Sequence, residues 1–243
     1  MKWDFWGNWV FRLRGQIPLV FLLIAFASSY SFNIQLVENE NASLLYAIGG
    51  IFIVFATIMR AYTVGYAAQH SSGRNRSEQV AEHLNVHGAY SMVQNPLYFA
   101  NAWMWLASAL FSNQWFFIVS VIALIGLLLP VLIHQERVFL RAKFGDEFVR
   151  WEKVTPVFLP NPLLFIAPQT TFQWIRLLAT EYPTWVSICT GISVVHWFGR
   201  YLSEGKYSLS TEQYILFICA ITLGLFGRFF KYVVVRKWLN RPI

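Results

Sequence analysis

Apolar residues occur along this chain in long blocks, separated by short segments rich in polar and charged residues. A helix needs about 20 apolar residues to cross the hydrocarbon core of a bilayer. The pattern therefore predicts an all-α fold, a polytopic bundle of about six transmembrane helices. The predicted spans are residues 17–34, 44–66, 97–111, 115–133, 184–202 and 214–235.

The third predicted span is short, and only the turn Ser112-Asn113-Gln114 separates it from the fourth. We therefore expect spans three and four to form a helical hairpin. No linker or low-complexity tract interrupts the pattern, so residues 1–243 are interpreted as a single integral membrane domain. Residues 172–243 add further C-terminal helices to it.

Composition excludes an ordinary soluble domain. The chain is 56% hydrophobic and 13% charged, against about 45–50% and 25% in soluble proteins. The formal net charge of +7 does not indicate nucleic-acid binding, because the cations lie in short loops between apolar blocks. Such a surplus is typical of membrane topology and of contact with anionic headgroups.

The loops alternate in charge, and this alternation predicts the orientation. Basic residues occur in the N-terminal segment, the second loop, the 134–181 segment and the C-terminus, whereas the first loop carries Glu38 and Glu40. Six spans with both termini in the cytoplasm satisfy the positive-inside rule. A cleavable signal peptide ending near Ala25-Phe26-Ala27 is the alternative for the N-terminus.

Two polar segments, 67–96 and 134–168, contain aromatic residues and prolines and flank the predicted hairpin. Closing the hairpin brings them together, so we expect the functional site there, facing the cytoplasm. The first segment fits the pattern G-x-Y-x-x-V-R-H-P-x-Y at Gly88, Tyr90, Val93, Pro96 and Tyr98. The second fits E-E-x-x-L-x-x-x-F-G-x-x-Y, followed by V-P-x-x-x-P, at Glu136, Leu140, Phe144, Gly145, Val154 and Pro160.

Residues 88–160 thereby resemble the membrane methyltransferases related to isoprenylcysteine carboxyl methyltransferase and bacterial phospholipid methyltransferases. The Ser-Gly-Arg-Asn stretch at 72–75 and the C-terminal hairpin look most like the branch that methylates the 1-phosphate of Kdo-lipid A. The resemblance implies an enzyme that transfers a methyl group from S-adenosylmethionine to an anionic membrane lipid, preferably a lipid A 1-phosphate. The cofactor-binding residues it implies are Tyr90, Asn95, Pro96, Leu97, Tyr98 and Glu136.

The physical properties of these side chains suit that ligand. The tyrosines offer ring faces and hydroxyls, and Glu136 offers acceptors for ribose hydroxyls or an ammonium group. A phosphate oxygen is already anionic, so methyl transfer to it needs positioning and no general base. Arg74, Arg76 and Arg137 are the candidate catalytic residues that would hold this anion, because guanidinium groups bind phosphate bidentately.

Three positions depart from the family pattern: Gln94 replaces Arg, Asn95 replaces His, and Arg137 replaces the second Glu. The Arg and Glu of the family sum to zero charge, whereas Gln94 and Arg137 sum to +1. The predicted site is therefore more positive than the family's, which suits a dianionic substrate. Asn95 can donate or accept where the family has an imidazole.

Other interpretations of the same residues stay open. Arg74 and Arg76 also fit ordinary positive-inside residues or headgroup contacts. Arg137 also fits a solvated residue or a pair with Asp146 or Glu147, and Arg60 is expected to snorkel. His83 and His87 have the spacing of a helical metal pair without a third ligand, so no metal is expected.

Alternative functions also stay open. A phospholipid or an isoprenylcysteine is an alternative acceptor within the same family. A nicotinamide-dependent membrane reductase has a similar architecture. The three substitutions also fit a non-catalytic relative that binds lipid or a partner protein.

Overall fold

The computed structural model describes residues 42–67, 81–205 and 208–238, together with scattered positions between 10 and 25. The predicted first span, 17–34, lies largely outside the described residues, as does the stretch on which the signal-peptide alternative depends. Within the described part, the regular structure is helical, and the predicted all-α class is confirmed.

The α-helices are numbered here in chain order from Ala42. Their bounds are α1 Ala42–Tyr66, α2 Ala89–Met92, α3 Pro96–Leu110, α4 Trp115–Phe144, α5 Asp146–Val154, α6 Trp174–Glu204 and α7 Thr211–Phe229. A 3₁₀ turn occupies Pro162–Leu164, and α7 continues as a π-helix over Phe230–Trp238. The predicted spans from 44 to 235 therefore each fall on a helix of the structure.

Three stretches are long and apolar enough to cross a membrane: Ala42–Tyr66, Trp115–Phe144 and Thr211–Arg236. Large apolar side chains remain exposed on them, such as Ile51 at 66% and Leu127 at 71%. Exposed apolar surface on this scale is suited to lipid and not to water. The chain is a membrane protein on this basis, whereas α3, with 15 residues, spans only about 22 Å.

The predicted turn between α3 and α4 is confirmed. α3 ends at Leu110 and α4 begins at Trp115, and Asn113 adopts a positive φ of 54° between them. The turn packs against α6 so closely that a Cβ on Gly199 would lie 2.3 Å from the Ser112 carbonyl oxygen. This contact fixes the closed end of the hairpin on α6.

Helix α1 packs along α3 and contacts α6, which in turn packs along α7. The carbonyls at the C-terminal end of α1 accept hydrogen bonds from residues 170–176, where α6 begins. These donors take the place of the intrahelical partners that the last carbonyls of a helix lack. The three bonds run from Gln173 N to Gly65 O, from Thr170 Oγ1 to Tyr66 O, and from Arg176 Nη1 to Ala67 O.

Candidate functional site

The two motif segments meet, as their positions around the hairpin predicted. Residues 156–166, which follow α5, lie along residues 88–95, which precede α3. The two segments are joined by hydrogen bonds between main-chain atoms, so the association depends little on which side chains occupy the motifs. The backbone hydrogen bonds run from Gly88 N to Ile166 O (2.8 Å), from Gln94 N to Pro156 O (2.8 Å), and from Asn161 N to Met92 O (2.9 Å).

Gly88 begins this contact because of its backbone conformation. It has φ +62°, which favours glycine, and its carbonyl accepts a hydrogen bond from Ser91 Oγ. The same hydroxyl accepts from the Ile166 backbone N–H at 2.9 Å. Ser91 therefore links the start of α2 to the far end of the 156–166 segment.

Gln94 and Asn95 are buried, with 5% and 7% of their surfaces exposed. The Gln94 amide nitrogen donates to the carbonyls of Thr155 (2.6 Å) and Glu152 (3.1 Å) at the end of α5. The Asn95 amide nitrogen donates to the Val157 carbonyl at 2.8 Å. Both amides thus tie the start of α3 to the end of α5, and Gln94 Oε1 has no partner among the described residues.

The other predicted cofactor-binding residues lie close to these amides in the sequence but differ in their surroundings. Pro96 is buried at the first position of α3, and Leu97 and Tyr98 are half-buried in its first turn. Tyr98 packs against the apolar cluster between α3 and α4. Tyr90 is half-buried, and its carbonyl accepts from the Trp151 indole at 3.1 Å. Glu136 is half-buried on α4.

Arg137 pairs with Glu152, and the expectation of a pair with Asp146 or Glu147 is wrong. Arg137 Nη2 lies 3.0 Å from Glu152 Oε2, and Arg141 donates to the other oxygen of the same carboxylate. The physical reason is the chain reversal at Gly145, where φ is +52°. α5 turns there, so the acid that faces the arginines belongs to its last turn and not to its first.

This group of Arg137, Arg141 and Glu152 carries a net charge of +1. The Glu152 side chain is 8% exposed, whereas those of Arg137 and Arg141 are 36% and 59% exposed. Burial alone would raise the pKa of Glu152, but the hydrogen bonds from Arg137 and Arg141 hold its pKa below the ordinary 4.5. The carboxylate is therefore ionised at neutral pH, and both guanidiniums keep surface that can accept an anion.

Arg74 and Arg76, the other predicted anion-holding residues, lie outside the described residues. Of the three predicted catalytic arginines, the structure therefore places Arg137 alone. Sequence reasoning missed Arg141 and Glu152. The spacing of Arg137 and Arg141, four residues apart on one helix face, is a signal that could have found the second arginine.

Arg60 does not snorkel, and that expectation is wrong. It is buried between helices, where Nε and Nη2 contact the two oxygens of Glu181 at 2.8 and 2.9 Å. Its Nη1 donates to Asn101 Oδ1 at 2.6 Å. The pair joins α1, α3 and α6, and each charge is compensated in place.

Among the residues that the structure describes, no group of three or more His, Cys, Asp or Glu side chains is arranged to hold a metal ion. Comparison with protein-family models, with curated proteins and with solved structures finds no match to this chain.

Proposed function

We propose that this protein is a membrane methyltransferase that transfers a methyl group from S-adenosylmethionine to an anionic membrane lipid. The observation that carries the proposal is the association of residues 88–95 with residues 156–166. Residues 88–95 belong to the first part of the pattern that resembles the methyltransferase family, and residues 156–160 end its second part. Their association is what a shared site needs.

The side chains near this association fit the chemistry of the cofactor. S-adenosylmethionine supplies an electrophilic methyl group, and its ammonium and ribose hydroxyls are hydrogen-bond donors. Glu136 presents half-buried acceptor oxygens, and Tyr90 presents a half-buried ring. Gln94 Oε1 is a further buried acceptor without a described partner.

Arg137 and Arg141 would hold the acceptor lipid. Their shared Glu152 neutralises one of the two charges, and the remaining positive charge favours a phosphate monoester. A phosphate oxygen needs no base to attack the methyl group, so orientation supplies the rate enhancement, up to about 7–11 kcal/mol for well-placed reactants. A lipid A 1-phosphate is the preferred acceptor, and a phospholipid or isoprenylcysteine is the alternative.

The proposed setting is a six-span bundle in a bacterial inner membrane, with both termini and the site in the cytoplasm. The positive-inside distribution of the loops supports this orientation. Lipid would enter laterally from the inner leaflet, where α4 carries Arg137 and Arg141 beyond its apolar part.

Transfer of a tritiated methyl group tests the proposal. Purified protein in vesicles containing lipid A 1-phosphate is expected to label the lipid, and Glu136→Ala is expected to abolish the labelling. Lys153→Gln, at an exposed position of α5, is the matched control and should label normally. Absence of labelling with lipid A, phospholipid and isoprenylcysteine acceptors alike would contradict the proposal.

A non-catalytic lipid-binding relative is the second candidate, and one observation favours it. The amide nitrogens of Gln94 and Asn95, two of the substituted motif positions, donate to the chain's own backbone. A motif used to join α3 to α5 could persist without cofactor binding. This candidate predicts that the protein binds anionic lipid but has no measurable affinity for S-adenosylmethionine.

A further inference from the structure

An open groove lies where α7 passes into the π-helix, away from the motif residues in the sequence. The surrounding side chains are large and apolar except for one arginine in the wall. π-helical turns often occur at functional sites, so the groove is a candidate binding site. Its lining residues are Leu225, Arg228, Phe229, Tyr232 and Val233.

Two cations lie near the ring of Tyr232, which lines this groove; Arg228 also lines the groove, and Lys231 lies beside it. The Arg228 guanidinium carbon and the Lys231 ammonium each lie 5.8 Å from the centroid of the Tyr232 ring. Within the described part of the chain, no carboxylate forms an ion pair with either cation. The acid on α7, Glu212, precedes Arg228 by 228 − 212 = 16 residues, which is more than four helical turns. Among the residues that the structure describes, the positive charge at the groove is therefore uncompensated.

Arg228 lies in the C-terminal third of the apolar stretch of α7 and the π-helix, toward one of the two headgroup regions. The apolar stretch Thr211–Arg236 is long enough to span a bilayer, and Arg228 follows Thr211 by 228 − 211 = 17 residues. That separation corresponds to about 26 Å of helix, close to the ~30 Å thickness of the hydrocarbon core. Leu225 and Phe229 are 69% and 56% exposed beside it. The positive charge of Arg228 thus lies next to the exposed apolar surface of Leu225 and Phe229.

We propose that this groove binds the phosphate headgroup of an anionic phospholipid of the surrounding leaflet. Arg228 and Lys231 would contact the phosphate, and an acyl chain would lie along Leu225 and Phe229. The groove volume of about 320 Å³ is at the small end of ligand pockets, about 300–1,000 Å³, so it accommodates a headgroup and not a whole lipid. The site is separate from the proposed methyl-transfer site and does not depend on it.

A second copy of the chain fits this groove less well. Most homodimers form by pairing the same surface patch on both copies. Such pairing would bring Arg228 and Lys231 of both copies, four cations in all, into one interface. An amphiphile with a negative headgroup and an apolar tail matches both the charge and the exposed apolar wall.

Native mass spectrometry of the detergent-purified full chain tests this site. We expect dioleoylphosphatidylglycerol to bind more tightly than dioleoylphosphatidylcholine. Each basic residue near an anionic headgroup contributes about 1 kcal/mol, or about fivefold in affinity, so Arg228→Gln with Lys231→Gln should weaken phosphatidylglycerol binding by about 30-fold. Arg150→Gln with Lys153→Gln, at two exposed cations of α5, makes the same charge change and should leave binding unaltered.

A charge-preserving variant and a competition experiment separate the possible outcomes. Arg228→Lys with Lys231→Arg keeps the charges and should keep the binding, which rules out loss through misfolding. Excess inorganic phosphate should not displace phosphatidylglycerol, because it lacks the apolar part. Equal binding of the two lipids, equal loss in the α5 control, displacement by phosphate alone, or a dimer that the Arg228/Lys231 glutamine variant dissociates would each overturn the proposal.

Discussion

The molecule contains two arginine–carboxylate groups that differ in stoichiometry and burial. Arg60 and Glu181 form an ion pair between α1 and α6, with side chains 8% and 2% exposed. Arg137 and Arg141 share Glu152, and both arginines reach the surface. The first group is electrically balanced, whereas the second keeps one positive charge.

This difference separates a structural role from a binding role. In the buried pair all three guanidinium nitrogens of Arg60 donate to protein oxygens, and removing one partner leaves an uncompensated charge. In the second group the carboxylate is buried but both guanidiniums reach the surface, so the surplus positive charge can bind an anion. We therefore expect mutations in the two groups to affect different measurements.

The largest expected effect is the loss of one partner of the buried pair. Glu181→Gln leaves Arg60 buried without its counter-charge, and we expect the free energy of unfolding to fall by about 3–5 kcal/mol. Thermal and denaturant unfolding in detergent measure the change. Arg60→Met combined with Glu181→Leu should recover most of the loss, since it removes both charges. A single variant as stable as the wild type would remove the distinction between the two groups.

The next effect concerns the amides that position the second group. Gln94→Leu removes the donor to the Thr155 and Glu152 carbonyls and should destabilise the fold by about 1–3 kcal/mol, the cost of unsatisfied buried acceptors. Hydrogen exchange at the end of α5 should rise in this variant. Unchanged exchange there would mean that Gln94 does not hold α5 against α3.

The arginines of the second group should show a smaller stability change and a larger functional one. Arg137→Gln with Arg141→Gln is expected to lower the free energy of unfolding by less than Glu181→Gln does, because both guanidiniums reach the surface although the Glu152 carboxylate is buried. The same variant should lose methyl transfer to phosphate lipids, because it lacks the positive charge that holds them. Full activity with unchanged apparent affinity for lipid would show that the anion is held elsewhere.

The smallest expected effect is the pH dependence of Glu152. Its pKa is lower in the folded chain than the ordinary 4.5, so its ion pairs stabilise the fold above that pH. The contribution is lost as the pH falls below 4.5 through the folded-state pKa. The free energy of unfolding of the wild type and of Glu152→Gln can be compared between pH 6 and pH 3, about one and a half units on either side of 4.5. It should fall more steeply with decreasing pH in the wild type. Parallel curves would contradict this.

The pattern of apolar residues predicted where most helices lie, but the sequence did not predict which charged residues pair. The turn at 112–114 and the short α3 follow from local patterns of apolar residues. Glu181, in contrast, is 121 residues from Arg60, and nothing in the sequence near either residue indicates its partner. The wrong partner for Arg137 has the same origin, because the choice of Glu152 depends on the direction of α5 after Gly145.

In the candidate site too, the sequence predicted which segments meet but not which atoms bond to each other. The resemblance brought Gln94 and Asn95 to attention, and the placement of residues 88–95 beside 156–166 followed from the predicted hairpin. The hydrogen bonds that both amides make to the backbone could not be predicted from residue type. An amide can face a ligand or a carbonyl equally well, and only the packing of α5 against α3 determines which.

Calorimetric titration of S-adenosylhomocysteine into the detergent-purified protein tests the proposed methyltransferase most directly. We expect micromolar binding to the wild type and to Lys153→Gln, and loss of binding in Glu136→Ala. No binding up to millimolar ligand, in protein whose helical content is intact, would contradict a methyltransferase and favour the non-catalytic lipid-binding relative.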